Sequence, residues 1–592
     1  MGFINPAPPP VDVEEWKQKP HLERIKPLAQ DWAINGFGTP GAVYLLYIVK
    51  LVIFAVGAAL VISTTAGLGG LGNFTDWWTE PIVWQKLVVW MILWEFLGIG
   101  SSSMPLSFRF LPPIGGPLFW LRPGALRLPP WPDRVPLTGG TRRTVFDLAL
   151  ALGVYASAGY LLFANGSAAE GTVDGRLDPA AIAVLLGFLV VLGLRDKVSY
   201  LSTRPEIYGL LLVVFLFPLS NMIVASQVVL VLVWWGAAAS KLNHHFPYVV
   251  SVMISNTPWN RSRRMKKQLY VDHPEVLQPS KQALLAGHTG TVIEFTLPLI
   301  LLLSNGGLLG TIGVVGMLLF HAHITSTFPL AVPLEWNLFM MFGIVYLFGH
   351  YGDVPFSTFD DPLLIAIVLI SGLLIPIIGN IRPDKISFLP SMRYYAGNWA
   401  TSQWLFNKER GIEERLDRDL VKSSPLVITQ LTRLYDRDTA ELMLYKGLAF
   451  RAMHSHGRAL NGLLPRAVPD VADYAIREGE FTAGSTIGWN FGDGHFHNEQ
   501  LLAAVQEQLD LDEGDLRIIT LESQPVQIQR QKYRIFDAQV GLLEEGWVNV
   551  ADMRGRLPWL DENWGNFPVE VTYRAPSAEV ADESAEGTPT PA

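Results

Sequence analysis

The chain has 592 residues, of which 49% are hydrophobic and 17% charged, and its mean hydropathy is +0.26. Soluble domains carry about 25% charged residues, so this composition excludes an ordinary soluble protein and predicts a membrane protein. The net charge of −9 and the lack of a basic groove-reading motif predict no binding to nucleic acid. The absence of cysteine excludes disulfides, thiolate nucleophiles and Cys-type metal sites.

Composition divides the chain into four parts. The first is polar and proline-bearing, and Trp16 and Trp32 are candidate anchors at a membrane surface. The predicted boundaries are 1–40 for a cytoplasmic N-terminal segment, 41–382 for a transmembrane domain, 383–574 for a cytoplasmic α+β domain and 575–592 for a disordered tail. The predicted fold class is therefore an all-α polytopic membrane bundle with a C-terminal α+β domain.

The apolar part predicts about ten transmembrane helices. The predicted spans are 42–64, 82–100, 145–164, 180–194, 206–218, 221–242, 284–304, 308–328, 336–351 and 361–381. As one helix, residues 206–242 would rise roughly 55 Å, which exceeds a hydrocarbon core of about 30 Å, so we expect a break at FPLSN, residues 217–221. Proline and glycine interrupt residues 101–144, which predicts an interfacial or re-entrant segment.

The positions of basic residues predict the orientation. Loops after even-numbered spans carry most of the arginines and lysines, and loops after odd-numbered spans carry few. This alternation requires that residues 206–242 cross the membrane twice, and it predicts a multi-pass protein of the cell inner (plasma) membrane with both termini in the cytoplasm. If that run crossed once, the basic loop 243–283 would lie outside.

Ionisable residues are concentrated in residues 234–333, and a charge at membrane depth is costly unless it has a partner or a function. Lys241 follows an apolar helix, where a lysine usually extends to the headgroups but, if desolvated, can act as a base. Glu294 lies near the middle of the seventh span, as a helix–helix hydrogen-bonding group or as an acid. His321 and His323 diverge by roughly 200° on a helix and cannot bind one metal together, so His321 is favoured as the one facing the bundle.

Other polar residues are candidates for substrate binding. They are Asn243, His244 and His245 after Lys241, His288 and His323 in later spans, and Glu95 in the second span. Pairing with a lysine or histidine is the simpler explanation for Glu95.

The stretch GWNFGDGHFHNEQ in the C-terminal part contains Asp493, His495, His497 and Glu499. In an extended chain the two histidines would face one side and could bind a metal with a carboxylate. The pattern favours instead a glycine-rich turn with Asn498 capping the next helix. No metal site is therefore predicted, and the lack of repeated HxxxH boxes excludes a desaturase-type metal centre. The cofactor stays unassigned.

Three motifs, GAAASKLN, VIEFTLPLILLL and FHAHITSTF, resemble the membrane domain shared by vitamin K-dependent gamma-glutamyl carboxylases and horizontally transferred transmembrane domain proteins. The resemblance rests on Lys241, Glu294, Phe320, His321 and Phe328, and it covers about 100 residues. It implies that Lys241 is a catalytic base. The whole chain also resembles a family of long actinobacterial transmembrane proteins of unassigned function.

Three functions follow as hypotheses. The first is an enzyme acting on a lipid or isoprenoid-quinone-like substrate, with Lys241 as general base and with Glu294 and His321 positioning substrate or relaying protons; it predicts a buried cavity between spans six, seven and eight. The second is a non-enzymatic lipid-binding or lipid-transport protein, for which no inverted repeat is detected. The third is a scaffold whose C-terminal domain binds a protein partner. The oligomeric state is not predicted.

Overall fold

The computed structural model describes residues 9, 11–100, 115–167, 175–257, 262–327, 334–394, 396–489, 492–560 and 566–576. Several predictions fall outside these residues. They concern 101–114 of the interfacial segment, Phe328 of the third motif and 577–592 of the tail.

The described residues up to 382 form helices, one hairpin and two isolated β-bridges, joined by irregular segments. Its helices are α1 (Val13–Lys17), α2 (His21–Asn35), α3 (Gly41–Ser63), α4 (Phe74–Trp77), α5 (Pro81–Phe96), α6 (Gly115–Trp120), α7 (Val145–Phe163), α8 (Pro179–Arg195), α9 (Lys197–Ser202), α10 (Leu210–Val214), α11 (Leu219–Ser240), α12 (Phe246–Asn256), α13 (Arg263–Gln268), α14 (Lys281–Leu303), α15 (Gly307–Thr327), α16 (Leu334–Gly343), α17 (Pro362–Leu369) and α18 (Ile375–Ile381). Short 3₁₀ or π turns lie at Leu71–Asn73, Pro205–Gly209, Ile344–His350, Phe356–Thr358 and Ile370–Leu374, and strands β1 (Tyr270–Asp272) and β2 (Val276–Pro279) form the hairpin.

Within the described residues, six helices are long and apolar enough to cross a membrane. They are Gly41–Ser63, Val145–Phe163, Leu219–Ser240, Lys281–Leu303, Gly307–Thr327 and Pro362–Ile381. Their outward side chains are apolar, as in the exposed Ile48 and Ile53 of α3, and a protein surface of this kind needs lipid or a partner to cover it. The protein is therefore a mostly helical membrane protein.

The other four predicted spans occur as shorter helices: α5, α8, Pro205–Val214 and Leu334–His350. A count of ten spans is therefore not confirmed. The predicted break within 206–242 is present, because α10 ends at Val214 and α11 begins after Pro218. Pro218 cannot continue a helix from the preceding turn, since it lacks an N–H and clashes with that turn.

The loops of the bundle form two groups at opposite ends. At one end, Ala66 N donates to Asn165 Oδ1 at 2.8 Å, Arg176 Nη1 to Phe217 O at 2.6 Å, and Tyr351 Oη to Thr79 O at 2.9 Å. At the other end the loops contact the C-terminal part, as when Lys197 Nζ donates to His495 O at 2.9 Å.

A six-stranded antiparallel sheet, β4-β3-β5-β6-β7-β8, organises the C-terminal part. Its strands are β3 (Thr401–Asn407), β4 (Tyr474–Glu478), β5 (Leu516–Leu521), β6 (Arg530–Asp537), β7 (Gly541–Asn549) and β8 (Glu570–Arg574). Its helices are α19 (Ile412–Asp419), α20 (Val427–Leu431), α21 (Arg437–Ala452), α22 (Ser455–Ala467), α23 (Gly479–Thr486), α24 (Glu499–Leu509) and α25 (Val550–Gly555), with 3₁₀ turns at Val471–Asp473 and Gly494–Phe496. Strand β3 is buried between β4 and β5, with Trp404 opposite Arg477 and Ile518.

The N-terminal segment packs on the C-terminal part. Trp16 and Trp32 are 2% and 3% exposed, and both belong to an apolar core shared with α21 and α22. Trp16 packs edge-on against Tyr445 of α21, with ring centroids 5.1 Å apart. The prediction that these tryptophans anchor the chain at a membrane surface is therefore wrong, because protein rather than lipid covers their apolar rings.

Candidate functional site

Lys241 and Glu294 form an ion pair inside the bundle. Lys241 is the C-cap of α11, and Glu294 faces it from α14. Their side chains are 11% and 4% exposed, so the pair is largely removed from water. The ammonium group also lies 5.6 Å from the centre of the Phe246 ring. Each charge therefore has the partner that burial of a charge requires.

The pair lies some distance along α14 from the start of that helix. Glu294 follows Lys281, the first residue of α14, by thirteen positions, which is about 20 Å along the helix axis. The chain after Lys241 returns as α12, whose Phe246 approaches Gly287 of α14. Helix α12 thus separates Lys241 from the end of the bundle.

His321 is held by hydrogen bonds at both ring nitrogens. Trp234 Nε1 donates to His321 Nε2 at 3.0 Å, so Nε2 carries no proton. The proton is then on Nδ1, which donates to Asn337 Oδ1 at 2.7 Å. The imidazole is 3% exposed and its tautomer is set by these two neighbours, which makes His321 a fixed dipole in the wall of the site.

A cavity of about 650 Å³ connects these groups. Its wall is mostly apolar and includes Lys241, Glu294 and His321. The remaining lining residues come from α11, α12, α14, α15, α16 and nearby turns, and they are Arg204, Val233, Trp234, Ala237, Phe246, Val249, Val250, Met253, Ile254, Gln282, Leu285, Ala286, Gly287, Thr289, Gly290, Ile293, Phe320, His323, Ile324, Thr327, Trp336, Asn337, Met340 and Tyr394. Its volume lies in the range of small-molecule sites.

The cavity opens on the outer surface of α14 and α15. Leu285 is 68% exposed, and Thr289 and His323 are also exposed, yet all three line the cavity. Both helices are long and apolar enough to cross a membrane. The opening of the cavity therefore lies on the apolar side of the bundle, beside α14 and α15.

A second group of polar residues also contributes to the wall of the cavity. Arg204 Nε pairs with Glu206 Oε1 at 2.8 Å, and Tyr394 Oη donates to the same oxygen at 3.0 Å. The Arg204 guanidinium stacks over the Trp336 ring at 4.0 Å. Sequence reasoning missed these residues. The signal was the pair of opposite charges in Arg204-Pro-Glu206 directly before an apolar run.

The chain matches a family described as "Transmembrane protein of unknown function (DUF3556)" over residues 1–572. The chain belongs to this family. No curated protein and no solved structure matches the chain, so the resemblance to the carboxylase membrane domain has no counterpart in these comparisons.

The three residues after Lys241 that were predicted to bind substrate face different parts of the protein. Asn243 caps α12: its Oδ1 accepts from the backbone N of His245 at 2.7 Å and of Phe246 at 2.9 Å. His245 is fully buried and faces the C-terminal part. Its Nδ1 is hydrogen-bonded to Ser455 Oγ at 2.6 Å, and its Nε2 to Gln524 Oε1 at 2.8 Å. His244 is exposed and lines a separate cleft. None of the three lines the cavity.

The other residues that were predicted to bind substrate also lie in different places. His323 lines the cavity, whereas His288 is exposed on α14 and Glu95 is fully buried in α5, and neither of these two lines it. The structure therefore brings together Lys241, Glu294, His321 and His323 from the predicted set.

The histidines of the C-terminal motif face different partners. His495 Nε2 pairs with Glu522 Oε2 at 2.8 Å, and His497 Nδ1 lies 2.6 Å from Ser402 Oγ. Asn498 caps α24 by accepting from Gln500 N at 3.0 Å, as predicted. Within the described residues, no group of three or more His, Cys, Asp or Glu side chains is arranged to hold a metal ion.

Proposed function

We propose that the protein binds an amphiphilic, lipid-like molecule in the cavity, with the polar end of the ligand at Lys241 and Glu294. The observation that carries this proposal is the position of a buried ion pair in the wall of an apolar cavity that opens through α14 and α15. An apolar cavity with few polar groups is the usual form of a small-molecule site. The lateral opening favours a ligand that is dissolved in the bilayer.

The sharpest test fills the cavity without touching a charge. Gly290 of α14 lines the cavity, and a Cβ added there meets nothing within 4 Å. In Gly290→Leu the side chain occupies ligand space, so we expect the variant to lose the co-purified lipid. Glycine is unfavourable within a helix, so the fold of the variant is expected to be as stable as that of the wild type or more so. Native mass spectrometry of the purified full-length protein measures the bound lipid.

The matched control is Gly159→Leu. Gly159 is also a helical glycine with open space around its Cβ position, and it lies on α7, away from the cavity. This control is expected to retain the lipid. Retention by both variants contradicts a ligand in the cavity.

An enzyme that acts on the bound lipid or quinone is the second candidate, and the direct contact of an acid with a base on the cavity wall favours it. Lys241 can act as a base only after its ammonium group has passed a proton on. An apolar ligand that displaces water disfavours separated charges, so the proton can move to the Glu294 carboxylate and leave a neutral amine. His321 and Asn337 then supply fixed dipoles beside the reacting group.

Comparison of lipid profiles tests the enzyme. In a deletion strain complemented with Lys241→Ala, we expect a lipid or quinone species to accumulate or disappear relative to the wild type. The control is Lys385→Ala, since Lys385 is exposed beyond the last helix of the bundle. An unchanged profile in Lys241→Ala excludes the enzyme but leaves lipid binding standing.

We also propose the topology that the basic residues predict, with both termini in the cytoplasm and a break near residue 218 on the outer side. Support comes from the grouping of Phe217 with the sparsely charged loops, through Arg176, at the end opposite the C-terminal part. Reporter fusions at residues 220 and 262 are expected to report opposite sides of the membrane. A fusion at 262 that behaves as extracytoplasmic contradicts this topology.

A further inference from the structure

A separate cleft of about 440 Å³ lies beside the cavity, between the first turns of α12 and α14 and helix α25. Its lining residues are His244, Pro247, Tyr248, Gln278, Pro279, Ser280, Lys281, Leu284, Ala551, Arg554 and Gly555. The cleft and the cavity use different residues of α12 and α14, so they are two sites on the same pair of helices.

The charged side chains of the cleft are all potential cations. Lys281, Arg554 and His244 line it, and no carboxylate does. In the part of the chain that the structure describes, no carboxylate pairs with Lys281 or Arg554, and the buried Nε of Arg554 has no hydrogen-bond partner. Arg554 and His244 line the cleft together, and burial and then the Arg554 guanidinium lower the pKa of His244. A site with this charge favours an anion.

A rigid network holds the backbone beneath Arg554. The fully buried Arg458 donates to Gln278 Oε1 at 2.8 Å, and its guanidinium lies 4.8 Å from the centre of the Tyr248 ring. Tyr248 Oη lies 3.0 Å from both Gln278 Oε1 and Arg554 O. These contacts position Arg554 through its carbonyl oxygen and leave its guanidinium for a ligand.

We propose that this cleft binds a phosphate group, carried by a lipid headgroup or present as free phosphate. Arginine recognises phosphate through its planar fork and lysine as a point charge, and the cleft offers one of each. Lys281 is the first residue of α14, so the cleft lies at the end of a helix that is long enough to cross a membrane, where phosphate headgroups lie. The proposal does not depend on the ligand of the cavity.

Binding of phosphatidic acid and of diacylglycerol with the same acyl chains tests the proposal, because the two lipids differ only in the phosphate. We expect the full-length protein in detergent to bind phosphatidic acid more tightly. The double variant Lys281→Gln with Arg554→Gln is expected to weaken that binding by at least about tenfold, since it removes two charge-assisted contacts. The control Lys267→Gln, an exposed lysine of α13 outside the cleft, is expected to bind as the wild type does.

Competition by inorganic phosphate separates the two sources. Competition shows that the phosphate group alone is recognised, and its absence shows that the site requires the lipid headgroup. Equal binding of the two lipids, or wild-type affinity in a double variant that unfolds at the wild-type temperature, overturns the proposal. Gly290→Leu is expected to retain phosphatidic acid at the cleft, so failure of the cavity proposal and failure of this one give different results.

Discussion

Within the described residues of the helical part, two lysine–glutamate pairs are buried, and their surroundings differ. Lys50 of α3 pairs with Glu335 at 2.7 Å, and these side chains are 5% and 0% exposed. Trp94 donates its indole N–H to Glu335 at 3.2 Å, and neither Lys50 nor Glu335 lines the cavity. Lys241 and Glu294 form the same kind of pair, but on the cavity wall.

Burial of an ion pair therefore does not by itself mark a ligand-binding site. A pair that is packed on all sides connects helices, as Lys50 connects α3 to α16. A pair at a cavity has one side on which a ligand can replace protein contacts. Variants of the two pairs test this contrast.

Loss of one charge from the packed pair is expected to destabilise the protein most. Lys50→Met leaves the Glu335 carboxylate buried without its cation, which costs about 3–5 kcal/mol in comparable cases. Lys241→Met is expected to cost less, because water can enter the cavity and solvate Glu294. Unfolding of the two purified variants in the same detergent measures both effects. An equal loss in the two variants contradicts the contrast.

Removal of both charges is expected to restore stability at each pair, because no uncompensated charge is left. Lys50→Met with Glu335→Gln is expected to recover most of the loss and to keep the bound lipid. Lys241→Met with Glu294→Gln is expected to recover stability but to lose the lipid. Unfolding and native mass spectrometry, applied to both double variants, check these outcomes, and retained lipid in the second one refutes the role of the pair in binding.

A smaller effect concerns His245, which connects the loop after Lys241 to the C-terminal part. Burial lowers the pKa of His245 to about 4 from its ordinary value of 6.5. Between these pH values the imidazole of His245 is protonated in the unfolded chain but neutral in the folded protein. This histidine therefore lowers the free energy of unfolding as the pH drops from about 6.5 to about 4. In His245→Gln we expect the free energy of unfolding to depend less on pH in that window. The decrease in slope corresponds to about one proton fewer taken up on unfolding.

The wild-type protein in the same detergent and over the same pH range gives the reference slope. An unchanged slope in His245→Gln shows that His245 does not supply the linkage.

Local features of the fold could be predicted from the sequence. The six long helices depend on runs of apolar residues, the break before α11 depends on Pro218, and the start of α24 depends on Asn498. The sequence does not identify strand β3, because its aromatic residues are equally typical of a membrane interface and of a buried strand. Only tertiary packing distinguishes the two.

The candidate site was predictable as a set of residues but not as a geometry. Lys241, Glu294 and His321 were selected because ionisable groups are costly at membrane depth. Their convergence on one cavity depends on contacts between distant segments, as does the pairing of Lys50 with Glu335. Charge and hydropathy do not encode such pairings, so a buried lysine in a long apolar helix received no role.

We propose above that a lipid-like molecule occupies the cavity. A cryo-electron microscopy map of the full-length protein in lipid nanodiscs would show such a molecule directly. We predict elongated density between α11, α14 and α15, with one end in hydrogen-bonding contact with Lys241 or Glu294, and no such density beside Lys50. A cavity that holds only water, or that is closed by the side chains of α12, contradicts the account.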